Sequence, residues 1–123
     1  MPIIQVSTTL ARSQIPVPFV RQTAQLLCKL FDKPMKSITV SINCDQLMFS
    51  GSDPDQQQPN KPIAVSTVRN IGQMTADSNR RATRELTKLF REQLAIGESE
   101  IKFVFIELSA ENLGLNGQLK SDL

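Results

Sequence analysis

The chain has 123 residues, of which 40% are hydrophobic, and its 14 basic and 12 acidic residues give a formal net charge of +2. One compact domain over residues 1–123 is expected, because domains of roughly 100–150 residues are the commonest size and bury a core of their own. The small net charge argues against nucleic acid and membrane surfaces as main partners, and the lack of a long apolar segment or a signal-peptide pattern favours the cytosol.

The first half of the chain has a pattern that predicts a strand, a helix and a second strand. Residues 3–9 alternate with the period of two that is typical of a half-buried strand. Residues 18–31 change to helical spacing, and Pro34 prevents that helix from continuing. Residues 37–43 alternate again as a strand. The predicted apolar face of the helix consists of Val20, Ala24, Leu27 and Phe31, joined by Thr23, Leu26 and Leu30.

The second half follows a polar segment at residues 51–61, which is rich in proline, glycine and glutamine and is predicted to be a mobile loop. Residues 63–70 and 100–108 are typical of strands. Between them, Asp77 or Ser78 could cap a helix that ends at about Leu94. The predicted apolar face of this helix consists of Ala82, Leu86, Leu89, Phe90 and Leu94.

The two halves repeat one plan, which predicts the fold class. The letters PI and KLF of the first half recur in the second at nearly the same spacing, so pseudo-repeats cover about residues 2–50 and 62–110. Two such βαβ units predict an α+β two-layer sandwich, in which a four-stranded mixed sheet carries both helices on one face. The last strand is apolar on both sides, so the second face of the sheet is predicted to meet another subunit.

The missing residue types restrict the chemistry. The chain has no histidine, tryptophan or tyrosine, and Cys28 and Cys44 stand in no metal-binding or redox spacing. We therefore expect two reduced thiols, no metal site and no cofactor. Histidine is the commonest acid/base group near neutral pH, so proton transfer must use another group.

Pro2 is the candidate for that group. Aminopeptidases remove an initiator methionine that precedes a small residue, proline included, and loss of Met1 would leave a secondary amine on Pro2. Such an amine is a base near neutral pH only if burial or a nearby cation lowers its pKa. Lys33 could supply the cation or hold a substrate carboxylate. The simpler interpretations are a proline that merely permits cleavage and a lysine that points to solvent.

Five segments, taken in order, resemble the family of macrophage migration inhibitory factor and D-dopachrome tautomerase. They are MPIIQVSTTL at the start, DKPMKSITVSI at residues 32–42, DQLM at 45–48, NIG at 70–72 and LGLNG at 113–117. The resemblance implies a homotrimer of duplicated βαβ subunits with sites at the subunit boundaries. It also implies keto-enol tautomerisation of a small aromatic 2-keto acid such as phenylpyruvate, or isomerisation of dopachrome.

The resemblance also assigns roles to individual residues. Pro2 matches the catalytic base, and Lys33 matches the group that binds the substrate acid or the developing enolate oxygen. Ile71 matches a residue that lines the pocket, with Asn70 as its neighbour, and Leu113 matches an apolar wall.

Two positions depart from the family pattern. Lys102 and Val104 stand where the best known member has a tyrosine and an asparagine that reach into the neighbouring subunit's site. Lys102 either adds a second cation, which would favour dicarboxylate substrates, or points to solvent. Val104 cannot form a hydrogen bond through its side chain, so we expect a different substrate preference.

A role outside catalysis is also open. Family members act outside cells as cytokine-like signals without a signal peptide, and Arg12 and Asp45 match two residues linked to contact with a cell-surface receptor. Ordinary solvated side chains are the simpler interpretation of both. The alternatives to a tautomerase are therefore a catalytically weak cytokine and a trimeric interaction protein whose site has decayed through Lys102 and Val104.

Overall fold

The structure is a computed structural model that describes residues 1–52, 61–72 and 74–123. Most of the predicted loop at residues 51–61 thus lies outside the described residues. None of the helices in the described part has both the length and the apolarity that a bilayer crossing needs. The strands and α-helices of the described part are, in chain order, β1 (Ile3–Thr8), α1 (Phe19–Phe31), β2 (Thr39–Asn43), β3 (Ala64–Ile71), α2 (Ala76–Leu94), β4 (Ile101–Leu108), β5 (Gly114–Leu115) and β6 (Gln118–Leu119).

The main sheet has the strand order β2-β1-β3-β4. β1 runs parallel to β2 and antiparallel to β3, while β3 runs parallel to β4. Each half of the chain therefore forms one βαβ unit, and the two units meet between β1 and β3. This arrangement confirms the predicted mixed four-stranded sheet. The short hairpin of β5 and β6 was not predicted.

The core lies between the helices and one face of the sheet. Alternate residues of β1 and β3, among them Ile4, Val6 and Val68, are completely buried there. Phe90 of α2 connects the layers, because its ring lies 5.2 Å from that of Phe19 in α1 and 5.3 Å from that of Phe103 in β4, both in edge-to-face geometry. Such aromatic pairs add to the stabilisation from burial alone.

The core-facing side of α1 differs by one residue from the prediction. Val20 was predicted to face the core but is 42% exposed, whereas Phe19 is fully buried. Each residue turns the helix by about 100°, so packing of the Phe19 ring on Phe90 rotates Val20 toward solvent. The residues buried along α1 are Phe19, Thr23, Leu27 and Phe31.

The start of α2 also differs from the prediction, whereas its apolar face is confirmed. Thr75 caps the helix, and neither Asp77 nor Ser78 does. The Thr75 side chain accepts from the Ser78 amide at 3.1 Å, and the Ser78 hydroxyl accepts from the Thr75 amide at 3.0 Å. This reciprocal capping box satisfies two amides that the first turn would otherwise leave without a partner.

The other face of the sheet is less covered within one chain. The side chains of β1, β3 and β4 that point there are half-buried or exposed. Val104 is 49% exposed and Ile106 is 37% exposed. The apolar pattern of β4 predicted that both faces of the sheet are covered. Within one chain, the helices cover one of them.

Glu100 holds together the two ends of the segment outside the described residues. It is 2% exposed, its Oε1 accepts a hydrogen bond from the Ser52 hydroxyl, and the Lys61 ammonium lies 3.7 Å from the same oxygen. Hydrogen bonds from Ser52 and Ser50, with the charge of Lys61, lower the pKa of Glu100 although burial opposes this. The ionised carboxylate thus stabilises the fold.

The Glu100→Ala variant is expected to lower the free energy of unfolding by about 2 kcal/mol, the usual value for a hydrogen bond to a charged group. Because the folded pKa is lowered, the contribution of Glu100 is complete above the ordinary pKa of 4.5 and is lost as pH falls through the folded value. Urea unfolding at pH 7 and at pH 3 measures both effects. Glu98→Ala is the matched control, since Glu98 forms an exposed ion pair with Arg91. Equal losses in both variants would contradict this role for Glu100.

Candidate active site

The start of the chain is held against the middle of the sheet. The Cα of Ile3 pairs with Thr39 of β2 on one side and with Arg69 of β3 on the other. The Pro2 carbonyl accepts a hydrogen bond from the Thr39 amide at 3.2 Å, and Pro2 is itself buried. Strand alternation puts Pro2 on the same face as Ile4, the face covered by the helices.

A buried asparagine contacts the terminal amine. The Met1 ammonium donates to Oδ1 of Asn70 at 3.1 Å, and Nδ2 of Asn70 donates to the Gly72 carbonyl at 3.1 Å. Gly72 has φ 74°, a conformation that glycine adopts without steric cost, at the turn that presents this carbonyl. Asn70 is fully buried. Its amide is therefore held with the oxygen toward the chain start.

The end of α1 positions Lys33. Asp32 adopts the left-handed conformation with φ 52°, which ends the helix, and the Lys33 amide then donates to the Cys28 carbonyl at 3.1 Å. Pro34 has no amide hydrogen with which to continue the helix. Lys33 is half-buried. The turn fixes its backbone and so limits the positions that its ammonium can reach.

The surroundings favour the neutral form of the terminal amine. Burial lowers the pKa of the Met1 amine from its ordinary value of 8.0, and the charges of Lys33 and Lys120 lower it further. This amine stands one residue ahead of the nitrogen that loss of Met1 would expose on Pro2. Pro2, Lys33 and Asn70, all singled out from the sequence, thus surround the chain start. Lys120 joins them and was not predicted.

Ile71 and Leu113 stand at the end of β3 and just before β5. Ile71 ends β3 beside Asn70, and strand alternation directs its side chain to the sheet face opposite the helices. Leu113 is half-buried just before β5, and its carbonyl accepts from the Lys120 amide at 2.8 Å. Leu113 therefore connects the tail to Lys120.

Lys102 and Val104 are not brought to Pro2 within one chain. They pair with Val65 and Thr67 of β3, and both are exposed on the sheet face away from the helices. Asn70 pairs with Glu107, five residues beyond Lys102. At about 3.3 Å per residue, Lys102 is roughly 16 Å along the strand from the level of the terminal amine. The side chains of Lys102 and Val104 could therefore reach the terminal amine of a neighbouring copy of the chain, but not that of their own chain.

Arg12 and Asp45 lie elsewhere, on an open groove of about 730 Å³ beside α1. Both are exposed, and Val17 and Val20 line the same groove. A larger groove of about 990 Å³ runs along the outer side of α2, where Arg80 and Lys88 contribute to its wall. Pro2 lines neither groove. Within one chain, the start of the chain therefore lies outside both cavities.

A family model and individual relatives agree on the family to which this chain is similar. The family model described as macrophage migration inhibitory factor (MIF) matches residues 1–120. The chain is 30% identical over 118 residues to macrophage migration inhibitory factor of Mus musculus, covering 95% of this chain and 96% of that protein. It is 27% identical over 117 residues to the MIF-like protein mif-2 of Caenorhabditis elegans, covering 95% of this chain and 92% of that protein.

Solved structures give the same result. The macrophage migration inhibitory factor of Trichinella spiralis superimposes with a TM-score of 0.86 at 25% identity, covering 95% of this chain and 98% of that one. The structure from Oncomelania hupensis superimposes with a TM-score of 0.87 at 28% identity, covering 97% and 81%.

Proposed function

Because the chain belongs to the macrophage migration inhibitory factor family, we propose that it is a keto-enol tautomerase whose base is the amine of Pro2. The observation that carries this proposal is the environment of the chain start. The amine of Met1, one residue before the Pro2 nitrogen, donates to Asn70 and is partly buried, and Lys33 helps to lower its pKa. The chain has no histidine, which is the commonest base near neutral pH, so another group must take this role.

The proposed reaction is a proton transfer through one nitrogen. After loss of Met1, the neutral amine of Pro2 takes a proton from the carbon beside the substrate carbonyl, so that a C–H bond breaks and an N–H bond forms. The electron pair moves to the carbonyl oxygen, and the amine then returns the proton to that oxygen to give the enol. A base of this kind works best with a pKa near the ambient pH, which burial and Lys33 favour.

Lys33 has a separate task in this proposal. Its ammonium binds the substrate carboxylate or the oxygen on which negative charge develops. An ion contact that strengthens as charge develops lowers the barrier of the reaction itself. In this proposal Asn70, which accepts from the Met1 ammonium before processing, accepts from the Pro2 amine afterwards, while Ile71 and Leu113 supply apolar contacts. Since the start of one chain lies outside the two large grooves, the proposal includes a homotrimer in which Lys102 and Val104 of a neighbouring copy complete the pocket.

The substrate class follows from these contacts. A 2-keto acid offers an acidic C–H bond, a carbonyl oxygen and a carboxylate, which the amine and Lys33 could serve together. Intact mass of the natural protein establishes whether Met1 is lost, and ultraviolet absorbance follows enol formation from phenylpyruvate. A processed oligomer that leaves phenylpyruvate and other enolisable 2-keto acids unchanged would overturn the proposal.

Substitution of Lys33 by methionine is expected to reduce kcat/KM for phenylpyruvate about 30-fold, the equivalent of one charge-assisted hydrogen bond of about 2 kcal/mol. The amine also loses a neighbouring positive charge, so its pKa rises and the acidic limb of the pH-rate profile moves to higher pH. Steady-state rates between pH 5 and 9 measure both effects. Lys29→Met is the control, because Lys29 is exposed one turn earlier on α1. If Lys33→Met retains the rate and pH profile of Lys29→Met, Lys33 has no such role.

A second candidate function is a protein signal. Arg12 and Asp45 are both exposed on one groove, which would allow a single partner to contact them together. This candidate covers a weakly catalytic cytokine and a trimeric interaction protein. Receptor binding that survives Pro2→Gly but is lost in Arg12→Ala and Asp45→Ala would favour it, whereas catalysis lost in Pro2→Gly favours the tautomerase.

A further inference from the structure

Asn70 stands opposite Pro2 on the neighbouring strand. The antiparallel register of β1 and β3 pairs Ile4 with Val68, so two further steps put Pro2 opposite Asn70. Ile4 and Val68 are completely buried on the face that the helices cover, and strand alternation puts Pro2 and Asn70 on that same face. Residues directly opposite each other have Cβ atoms about 5 Å apart. Asn70 is therefore the neighbour of the Pro2 ring across the two strands.

The side-chain amide of Asn70 is fixed with its oxygen toward the chain start. Asn70 is fully buried, and its Nδ2 donates to the Gly72 carbonyl at 3.1 Å. Its Oδ1 accepts from the Met1 ammonium at 3.1 Å. An amide oxygen has no hydrogen to donate, so it can only accept from the amine that ends the chain. The nitrogens of Met1 and Pro2 are separated by three bonds and lie within about 4 Å of each other, so loss of Met1 leaves the new terminal amine beside Asn70.

The nitrogen of a terminal proline has a restricted geometry. It is bonded to two ring carbons, so its neutral form has one hydrogen and one lone pair, which point in different directions. An acceptor that holds the hydrogen therefore determines where the lone pair points. We propose that Asn70 is a positioning residue that accepts the N–H of the Pro2 amine and so directs the lone pair at the substrate carbon that loses its proton. This inference rests on the proposed function and adds how the base is oriented.

The same contact is compatible with both steps of the proton transfer. When the amine takes the proton, the new N–H bond forms where the lone pair was, and the first hydrogen stays on the oxygen of Asn70. The resulting ammonium of Pro2 has two N–H bonds, and only the one that faces the substrate can return its proton. Asn70 itself neither gains nor loses a proton. Its effect is therefore on the geometry of the base, and geometry of this kind acts on kcat more than on KM.

The charged side chains around this pair belong to other elements. Lys33 at the end of α1 and Lys120 in the tail lower the pKa of the Met1 amine by their charges. Glu107 of β4 pairs with Asn70 in the sheet register and is exposed. These three residues stay the same when Asn70 is replaced. Differences between Asn70 variants therefore report the contact of the Asn70 side chain with the amine.

Two substitutions with the branched outline of asparagine test the role. Asn70→Leu and ionised Asn70→Asp both remove the hydrogen bond to the Gly72 carbonyl, but only aspartate keeps an acceptor for the amine. Asn70→Leu is expected to lower kcat for phenylpyruvate about tenfold and to change KM less than twofold, the loss of one oriented hydrogen bond. Asn70→Asp is expected to restore most of kcat at high pH, with the acidic limb of the pH-rate profile at higher pH, because a carboxylate favours the ammonium. A raised KM with unchanged kcat in Asn70→Leu would make Asn70 a substrate-binding residue and refute the inference.

NMR of the processed protein measures the same contact without catalysis. The chain has seven prolines, and every one except a terminal Pro2 has an amide nitrogen, so with isotope-labelled proline only the Pro2 nitrogen titrates. Asn70→Asp is expected to raise the pKa of the Pro2 amine, and Asn70→Leu to lower it, since hydrogen bonding to the charged form favours that form. Thr67→Val, on the opposite face of β3, is the control and should leave this pKa unchanged.

The kinetic and NMR results separate the possible failures. If the processed protein leaves 2-keto acids unchanged while the two variants shift the pKa of the Pro2 amine in opposite directions, the tautomerase is contradicted and the contact with Asn70 stands. If circular dichroism shows that neither variant folds, the parent protein supplies the test, because the side-chain amide resonances of Asn70 should titrate with the same midpoint as the Pro2 nitrogen. Asn70 resonances that do not follow this titration, or an equal pKa of the Pro2 amine in all three proteins, would show that Asn70 does not orient the base.

Discussion

The Pro2→Gly variant is expected to lose tautomerase activity, with kcat/KM for phenylpyruvate lowered about 100-fold or more, since a positioned general base contributes at least that factor. Glycine is small enough for Met1 still to be removed, so the variant exposes a primary amine at the same place. That amine lacks the ring that fixes the proline nitrogen relative to β1, and it spends less time in the reactive geometry. Steady-state rates, with intact mass to confirm removal of Met1, measure the effect.

Pro62→Gly is the matched control for this prediction. Pro62 stands at the corresponding start of the second repeat, but its nitrogen is an amide in the mature chain and cannot act as a base. We expect its kcat/KM to remain within about twofold of the parent value. If Pro2→Gly and Pro62→Gly retain equal activity, the base lies elsewhere.

Retention of Met1 gives an independent form of the same test. With Met1 attached, the nitrogen of Pro2 is also an amide, so a preparation that retains Met1 is expected to be inactive. Activity should then follow the fraction of processed chains determined by intact mass. In the processed protein, activity should rise with pH, because the protonated amine of Pro2 cannot accept a proton from the substrate. Full activity in the unprocessed preparation would rule out this base.

The regular elements were predictable where the apolar period and the packing agree. The alternation over residues 3–9 predicted a half-buried strand, and Ile4 and Val6 of β1 are buried at the strand period of two. In α1 the period was correct but the face was shifted, because Val20 and Phe19 are both apolar neighbours. Only the contact with Phe90 on another helix decides between them, and this contact is not encoded locally.

The candidate site was predictable to the extent that it depends on local sequence. Pro2 and Lys33 stand at a chain start and a helix end, positions that the pattern itself marks. Lys120 was missed, because its approach to the amine depends on the return of the tail. The Asn116 and Gly117 pair was the available signal for that return, but it predicts a hairpin and not the residue that the hairpin places.

The sequence indicates the subunit interface of the proposed homotrimer only in part. The two-sided apolar pattern of β4 indicated a second covered face, but the largest exposed apolar side chains lie elsewhere. Leu47 is 104% exposed and Phe49 is 80% exposed, in the segment that follows the edge strand β2. Each gains about 2 kcal/mol if it is buried. In the proposed homotrimer, another copy of the chain would bury both side chains.

If the protein is the proposed homotrimer, the double variant Leu47→Asp with Phe49→Asp is expected to be monomeric at micromolar concentration. Two carboxylates per chain would have to be buried where two large apolar side chains were, and the cost of burying an unpaired charge exceeds the lost apolar contact. Light scattering after size-exclusion chromatography measures the mass, and circular dichroism checks that the fold remains. Val17→Asp is the control, since Val17 is 96% exposed beside α1. Monomers of the double variant should also lose tautomerase activity, because Lys102 and Val104 then have no neighbouring site to complete. A double variant that keeps the mass of the parent protein would place the subunit interface away from this segment.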